Sequence, residues 1–153
     1  VKVDLRVPAY LPDEYVGDAQ LKMDLYRRLA RIHEPDQVPT LREEFRDRYG
    51  PLPIPVENLL EVHRIRGLAS RNGVDEVRAS RKGVDLFFAG GHEPTPPIIR
   101  GLMASPLRGL QFKAVDQFSL HVPAAREEQL AAAGNVLQQL EDLRLHHPEA
   151  ARS

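Results

Sequence analysis

The stretch Glu44-Phe45-Arg46-Asp47-Arg48-Tyr49-Gly50-Pro51-Leu52-Pro53 decides how the first half of the chain is read. Up to Tyr49 the apolar residues recur at helical spacing, and Phe45 and Tyr49, one turn apart, share a face that turns inward. Gly50 closes that helix in a left-handed conformation. Pro51, Pro53 and Pro55 then keep the chain stiff and extended. Working backward, Asp36 stands at the N-cap of this second helix, with Pro39 tolerated in the first turn, where its missing N–H would be unpaired anyway. Working forward, a third helix is expected from about Val56 to Asn72. Val56, Leu59, Leu60, Val62, Ile65 and Ala69 make its broad apolar side, and Gly73 stops it.

Outward from this core the pattern changes twice. Before it, Val3, Leu5 and Val7 alternate with Lys2, Asp4 and Arg6, as in a half-buried strand that Pro8 ends. A loop from Ala9 to Gly17 leads to Asp18, which caps a first helix carrying Leu21, Leu25, Leu29 and Ile32 through His33; Pro35 ends it. After the third helix come strands. Val74, Val77 and Ala79 lead into a turn at Arg81-Lys82-Gly83, and Val84 to Ala89 returns. Thr95 caps a short helix with Pro96 and Pro97 in its first turn. A second hairpin turns at Asp116-Gln117, between Leu110, Phe112 and Ala114 and Phe118, Leu120 and Val122. A long helix from about Ala124 to Leu145 closes the sequence, with Leu130, Ala133, Leu137 and Leu140 on one face. The expected fold is α+β: an N-terminal strand and three helices, then hairpin, helix, hairpin, helix, with a small antiparallel sheet packed against helices. One domain is expected over 1–147, with a frayed tail at 148–153.

Composition narrows function. The chain has 153 residues, 21 Lys plus Arg against 22 Asp plus Glu, and no cysteine. A net charge of -1 argues against a dedicated nucleic-acid binder, which shows a basic excess. Lack of cysteine removes disulfides, thiolate metal sites and cysteine nucleophiles, and fits a reducing cytoplasm. No apolar run approaches the length a membrane helix needs, and no signal peptide opens the chain. The first residue is Val1, which reads as a fragment or an excised domain.

Motifs for chemistry are missing. A phosphate-binding loop needs a Gly-Lys pair feeding a helix, and none exists. The histidines His33, His63, His92, His121, His146 and His147 lack the three- or four-residue spacing of metal ligands on a helix. No serine sits in a glycine-flanked elbow. No catalytic residue, metal or cofactor is therefore expected. Arg27, Arg28 and Arg31 on the first helix, and Arg64, Arg66 and Arg71 on the third, are interleaved with acids. A nucleic-acid-binding accessory role using Arg27, Arg31, Arg64 and Arg66 is the alternative function.

The opening stretch has a second content. Glu44, Asp47 and Arg48 are spaced i, i+3, i+4 and share one helical face. Two carboxylates and a guanidinium at a rigid helix end suit polar protein recognition. The plainer reading is an exposed Glu44–Arg48 pair within the helix, of about 0.3–0.5 kcal/mol. The residues alone leave both open.

Asp47-Arg48-Tyr49-Gly50-Pro51-Leu52-Pro53 resembles the Asp-Arg-aromatic-Gly-x-x-Pro signature of the C-terminal domain of bacterial transcription-repair coupling factors. Ala9-Tyr10-Leu11-Pro12-Asp13-Glu14-Tyr15 is similar to that family's first loop, and Leu25-Tyr26-Arg27-Arg28-Leu29-Ala30 to its first-helix motif. Lys22 stands where the family commonly has arginine. The resemblance runs well from about Val3 through the third helix and more loosely to about Leu143. It implies a domain that performs no catalysis itself, within an ATP-dependent DNA translocase that displaces stalled RNA polymerase and recruits the repair protein UvrA. It also implies a clamp on the N-terminal UvrA-binding domain of the same chain, masking that surface and restraining the motor. Glu44, Asp47 and Arg48 stand at the clamp positions of the family motif. With the charge, hydropathy and cysteine readings above, the expected location is the cytoplasm, with no direct contact with nucleic acid or membrane.

Overall fold

The structure, a computed structural model, describes residues 1–146. The expected tail at 148–153, and His147, lie outside the described residues. The elements run β1 (Lys2–Asp4), α1 (Ala19–Ala30), α2 (Gln37–Tyr49), α3 (Ile54–Arg71), β2 (Val74–Ala79), β3 (Gly83–Phe88), α4 (Pro96–Met103), β4 (Gln111–Lys113), β5 (Ser119–Pro123) and α5 (Gln129–His146), the last preceded by one 3-10 turn at Arg126–Glu128. This is the α+β order expected from the sequence. Contacts divide the chain into two compact units, one of Arg6–Gly67, the other of Val1–Leu5 together with the chain from Leu68 onward.

In the first unit, three helices and a loop enclose one apolar cluster. Leu25 and Leu29 come from α1, Val38, Leu41 and Phe45 from α2, Val56, Leu59 and Leu60 from α3, and Leu11 and Val16 from the loop. Phe45 is fully buried. Tyr49 stacks edge-on to it at 6.1 Å and lies 5.7 Å from Tyr15, separations at which aromatic rings attract beyond the area they bury. The Tyr15 hydroxyl donates to the carbonyls of Phe45 at 3.2 Å and Gly50 at 3.0 Å, one proton shared between two acceptors. The Gly50 carbonyl lies just past the end of α2, where no intrahelical donor reaches it, and the Phe45 carbonyl lies in the helix's last turns. Gly50 takes φ +89°, a backbone state that favours glycine. At the other end of the loop, the Leu11 amide donates to the Tyr26 hydroxyl at 2.8 Å. The loop that precedes α1 is thereby tied to α1 and α2.

The helix starts follow the sequence in part. Asp18 caps α1, accepting from the Leu21 amide at 2.8 Å. Asp36 occupies the N-cap position of α2 but makes no capping bond, because its backbone is already helical at φ −64°, ψ −19°. Gln37 takes over the turn instead, its Oε1 accepting from the amides of His33 and Glu34 at 3.2 and 3.1 Å. Thr95 likewise precedes α4 without capping it, and its Oγ1 is buried without a partner.

In the second unit the sheet order is β1-β2-β3-β5-β4. The neighbours from β2 to β4 are antiparallel, whereas β1 adds to the edge parallel to β2, with Val3 opposite Val77. The alternation of Val3 with its polar neighbours identifies a strand but says nothing of this partner, some seventy residues away. Val77, Val84, Leu86, Leu120 and Val122 are buried, and so are Val136, Leu137 and Leu140 of α5. Glu141, only 4% exposed, is held by Arg71 Nε at 2.9 Å and by Arg144, which meets the need of a buried carboxylate for charge partners.

Gly83 shows how closely β3 and β5 approach. A Cβ built there would lie 2.0 Å from the Val122 carbonyl oxygen, whereas one at Gly90 would meet nothing within 4 Å. Gly83→Ala is therefore expected to lower unfolding free energy by about 1–3 kcal/mol, as overpacking against backbone does. Gly90→Ala should stay within about 0.5 kcal/mol of the parent. Urea denaturation of the two variants checks this.

Candidate functional site

The structure places Glu44, Asp47 and Arg48 on one side of α2 but gives them different surroundings. Asp47 and Arg48 are exposed, and among the described residues neither side chain has a hydrogen-bond or ion-pair partner. Glu44 is half-buried, its side chain 31% exposed. It does not pair with Arg48, as the plainer sequence reading had it. Arg28 of α1 reaches across and donates from both terminal nitrogens, Nη2 to Oε1 at 2.8 Å and Nη1 to Oε2. Two parallel N–H donors match two carboxylate oxygens. The bonds from Arg28 hold the Glu44 carboxyl below the ordinary glutamate range, against a smaller opposing effect of burial; the charges of Arg28 and Arg48 add to the lowering. The same bonds raise the Arg28 pKa.

Arg28 is the member of this face that spacing within α2 could not reveal. It belongs to the basic run Arg27-Arg28-Arg31, but only the packing of α1 on α2 shows which of the three turns toward Glu44. Arg27 instead meets Asp24 on its own helix at 3.3 Å. On α3, Arg64 is bound to Glu61 at 2.7 Å. The arginines of the alternative reading are thus partly engaged by acids of their own helices. Arg42 of α2 meets Glu57 of α3 at 2.8 Å, so cross-helix pairs brace α2 to both α1 and α3.

His63 is mostly buried, and burial, helped by the nearby Arg66, pushes its pKa down to about 4. His121 Nδ1 and Asp85 Oδ1 lie 2.8 Å apart across β3 and β5. Ser119, two residues along β5, makes no hydrogen bond to that pair among the described residues. A cavity of about 150 Å³ in the second unit is floored by Phe88, Ile98 and Leu140 and rimmed by Arg71 and Arg144, the two arginines that hold Glu141. Among the described residues, no cluster of three or more His, Asp or Glu could hold a metal, and no helix is long and apolar enough to cross a membrane.

The architecture matches the crystal structure of the C-terminal domain of a transcription-repair coupling factor with a TM-score of 0.80, covering 95% of this chain and 94% of that one at 19% identity. This establishes a shared fold. The family model of the TRCF domain matches residues 5–98, more than half of the chain, and spans the whole of the three-helix unit that carries the candidate site. The chain belongs to the TRCF domain family. It is similar to the transcription-repair-coupling factors of Escherichia coli K12 (30% identical over 102 residues), Rickettsia conorii (32% over 98) and Staphylococcus aureus USA300 (33% over 89). Those alignments cover 67%, 64% and 58% of this chain, and only 9%, 9% and 8% of the relatives.

Two outcomes are expected. The His63 pKa is lower in the folded chain than the ordinary 6.5, so protonation favours the unfolded state. The stability it protects is present above about pH 6.5 and is lost as pH falls toward about 4. His63→Gln should remove this component, so the difference between variant and parent in urea melts should be flat above pH 7 and drift below 6.5. For the Arg28–Glu44 pair, a double-alanine cycle should give a coupling of about 0.2–1 kcal/mol, the range of exposed ion pairs.

Proposed function

We propose that this chain is a regulatory, protein-binding domain of a transcription-coupled DNA repair translocase. In this reading it docks through Glu44, Asp47 and Arg48 on the N-terminal UvrA-binding domain of the same polypeptide. Docking masks the surface that UvrA would take and restrains ATP hydrolysis by the motor until RNA polymerase is engaged. The domain itself performs no catalysis, and its setting is the cytoplasm of a bacterium. The observation that carries the reading is the pair Asp47 and Arg48. Both side chains are exposed on the last turns of α2, a helix end fixed by the Tyr15 hydroxyl and the Phe45–Tyr49 contact. Opposite charges on a rigid mount, left without partners in a family member, are what a complementary charged surface would engage. Membership of the TRCF domain family and the names of the relatives supply the repair context.

The Arg28–Glu44 pair refines how the three residues act. Asp47 and Arg48 present free charges, whereas Glu44 presents an oxygen whose position Arg28 already sets. A partner cation can meet Glu44 without ordering it first, which lowers the entropy lost on binding.

The test uses the full-length parent. Asp47→Ala with Arg48→Ala should leave the domain folded, because both side chains are exposed. Where such charges are desolvated on docking, truncation costs about 2–5 kcal/mol, so UvrA capture and ATP hydrolysis without RNA polymerase should both rise several-fold. Unchanged values in both assays would sink the proposal.

A further inference from the structure

The side of α2 that carries the three charges does not end at Glu44. Gln37, Leu41, Glu44 and Arg48 follow at spacings of four, three and four, and Thr40, Glu44 and Asp47 at four and three, so all lie along one side of the helix. Toward the N-terminal end this side forms a groove of about 410 Å³ with the end of α1. Ile32 supplies its apolar surface above the nearly buried Leu41, Arg28 and Arg31 its α1 wall, and Gln37 and Thr40 its α2 wall, with Asp36 at the end. Arg28 belongs to both regions, since it lines the groove and holds Glu44.

The chemistry of the groove is donor-rich. Arg31 is exposed, and among the described residues its guanidinium has no partner. Gln37 uses its Oε1 on the amides of His33 and Glu34, which orients its amide so that Nε2 remains a donor. The Thr40 hydroxyl is exposed as well. Three donors beside an apolar floor call for a ligand with acceptor oxygens next to an aliphatic or aromatic group. An acidic side chain close to an apolar one, on a protein segment, has this composition.

We infer that the docking surface is an elongated one, running from Arg31 and Gln37 to Asp47 and Arg48, and that its groove end receives a partner segment presenting a carboxylate to Arg31 and an apolar side chain to Ile32. The inference rests on the docking reading above and extends it by a second contact region. Nucleic acid suits the groove less well. Of the cations nearby, Arg27 and Arg28 are bound to Asp24 and Glu44 and Asp36 lies within the groove. Few phosphates could be neutralised, and it is phosphate neutralisation that supplies most nucleic-acid affinity.

The experiment titrates this chain against the purified N-terminal UvrA-binding domain by calorimetry, comparing the parent with Arg31→Glu/Thr40→Glu and with Asp47→Ala/Arg48→Ala. All four positions are exposed, and circular dichroism melts confirm that each variant is folded. The expected result is at least a tenfold rise in Kd for each double variant. A groove variant within twofold of the parent, with the Asp47/Arg48 variant weakened, overturns the groove while the docking reading stands. No binding by the parent overturns both. A fluorescent 20-base-pair DNA duplex provides the last arm. DNA binding that the groove variant abolishes, with binding to the protein partner unchanged, overturns the inference in favour of nucleic acid.

Discussion

Where α2 ends is the constraint on which the three-helix unit depends. A helix terminus leaves carbonyls without intrahelical donors, and here a side chain from a distant loop supplies one to Gly50, just past the last turn. The Tyr15 hydroxyl reaches the carbonyls of Phe45 and Gly50, while its ring lies against Tyr49. One residue thereby fixes the exit of the helix, the path of the Pro51–Pro55 connection and the position of the loop from Ala9 to Gly17. Phe45, fully buried beside it, anchors the opposite side of the same turn. The exposed charges of α2 project from a backbone with little freedom left, which is the condition under which a few polar side chains can specify a partner.

Much of this was legible in the sequence. The element order could be read because the periodicity switches sharply between helical and alternating spacing, and glycine and proline mark the joins. Gly50 shows the strength of such local signals: its place after Tyr49 and before Pro51 announces a positive φ, and the structure has one. Pairings between distant segments left no comparable mark. The parallel addition of β1 to β2 is one such pairing, because a three-residue strand carries no register information about a partner so far away. Caps were legible only in part, because a side chain of the right type caps only when its own backbone is extended and a donor follows; Asp18 meets both conditions, Asp36 fails the first, and Thr95 is extended but faces prolines at the next two positions, which have no N–H.

The site was half legible for the same reason. Three residues on one helix share a face by arithmetic, so the grouping of Glu44, Asp47 and Arg48 needs no tertiary information. The partner of Glu44 does. Arg48 is the neighbour that sequence offers, one turn along, yet Arg28, from another helix, takes the carboxylate with both terminal nitrogens. Likewise Glu141, one acid among many on paper, is distinguished only by burial between Arg71 and Arg144.

The bond between Arg28 and Glu44 also shapes the electric field that α2 presents. Those two charges cancel each other, and Asp47 stands next to Arg48, so the surface is nearly neutral when seen from a distance and strongly patterned when seen at contact. Such a surface draws a partner in weakly from solution, because long-range attraction needs an excess of one sign. It discriminates only at close range, once the matching charges are aligned. In the docking proposed above the partner is joined by the same backbone, so a tether would supply a high local concentration and electrostatic attraction over distance would add little.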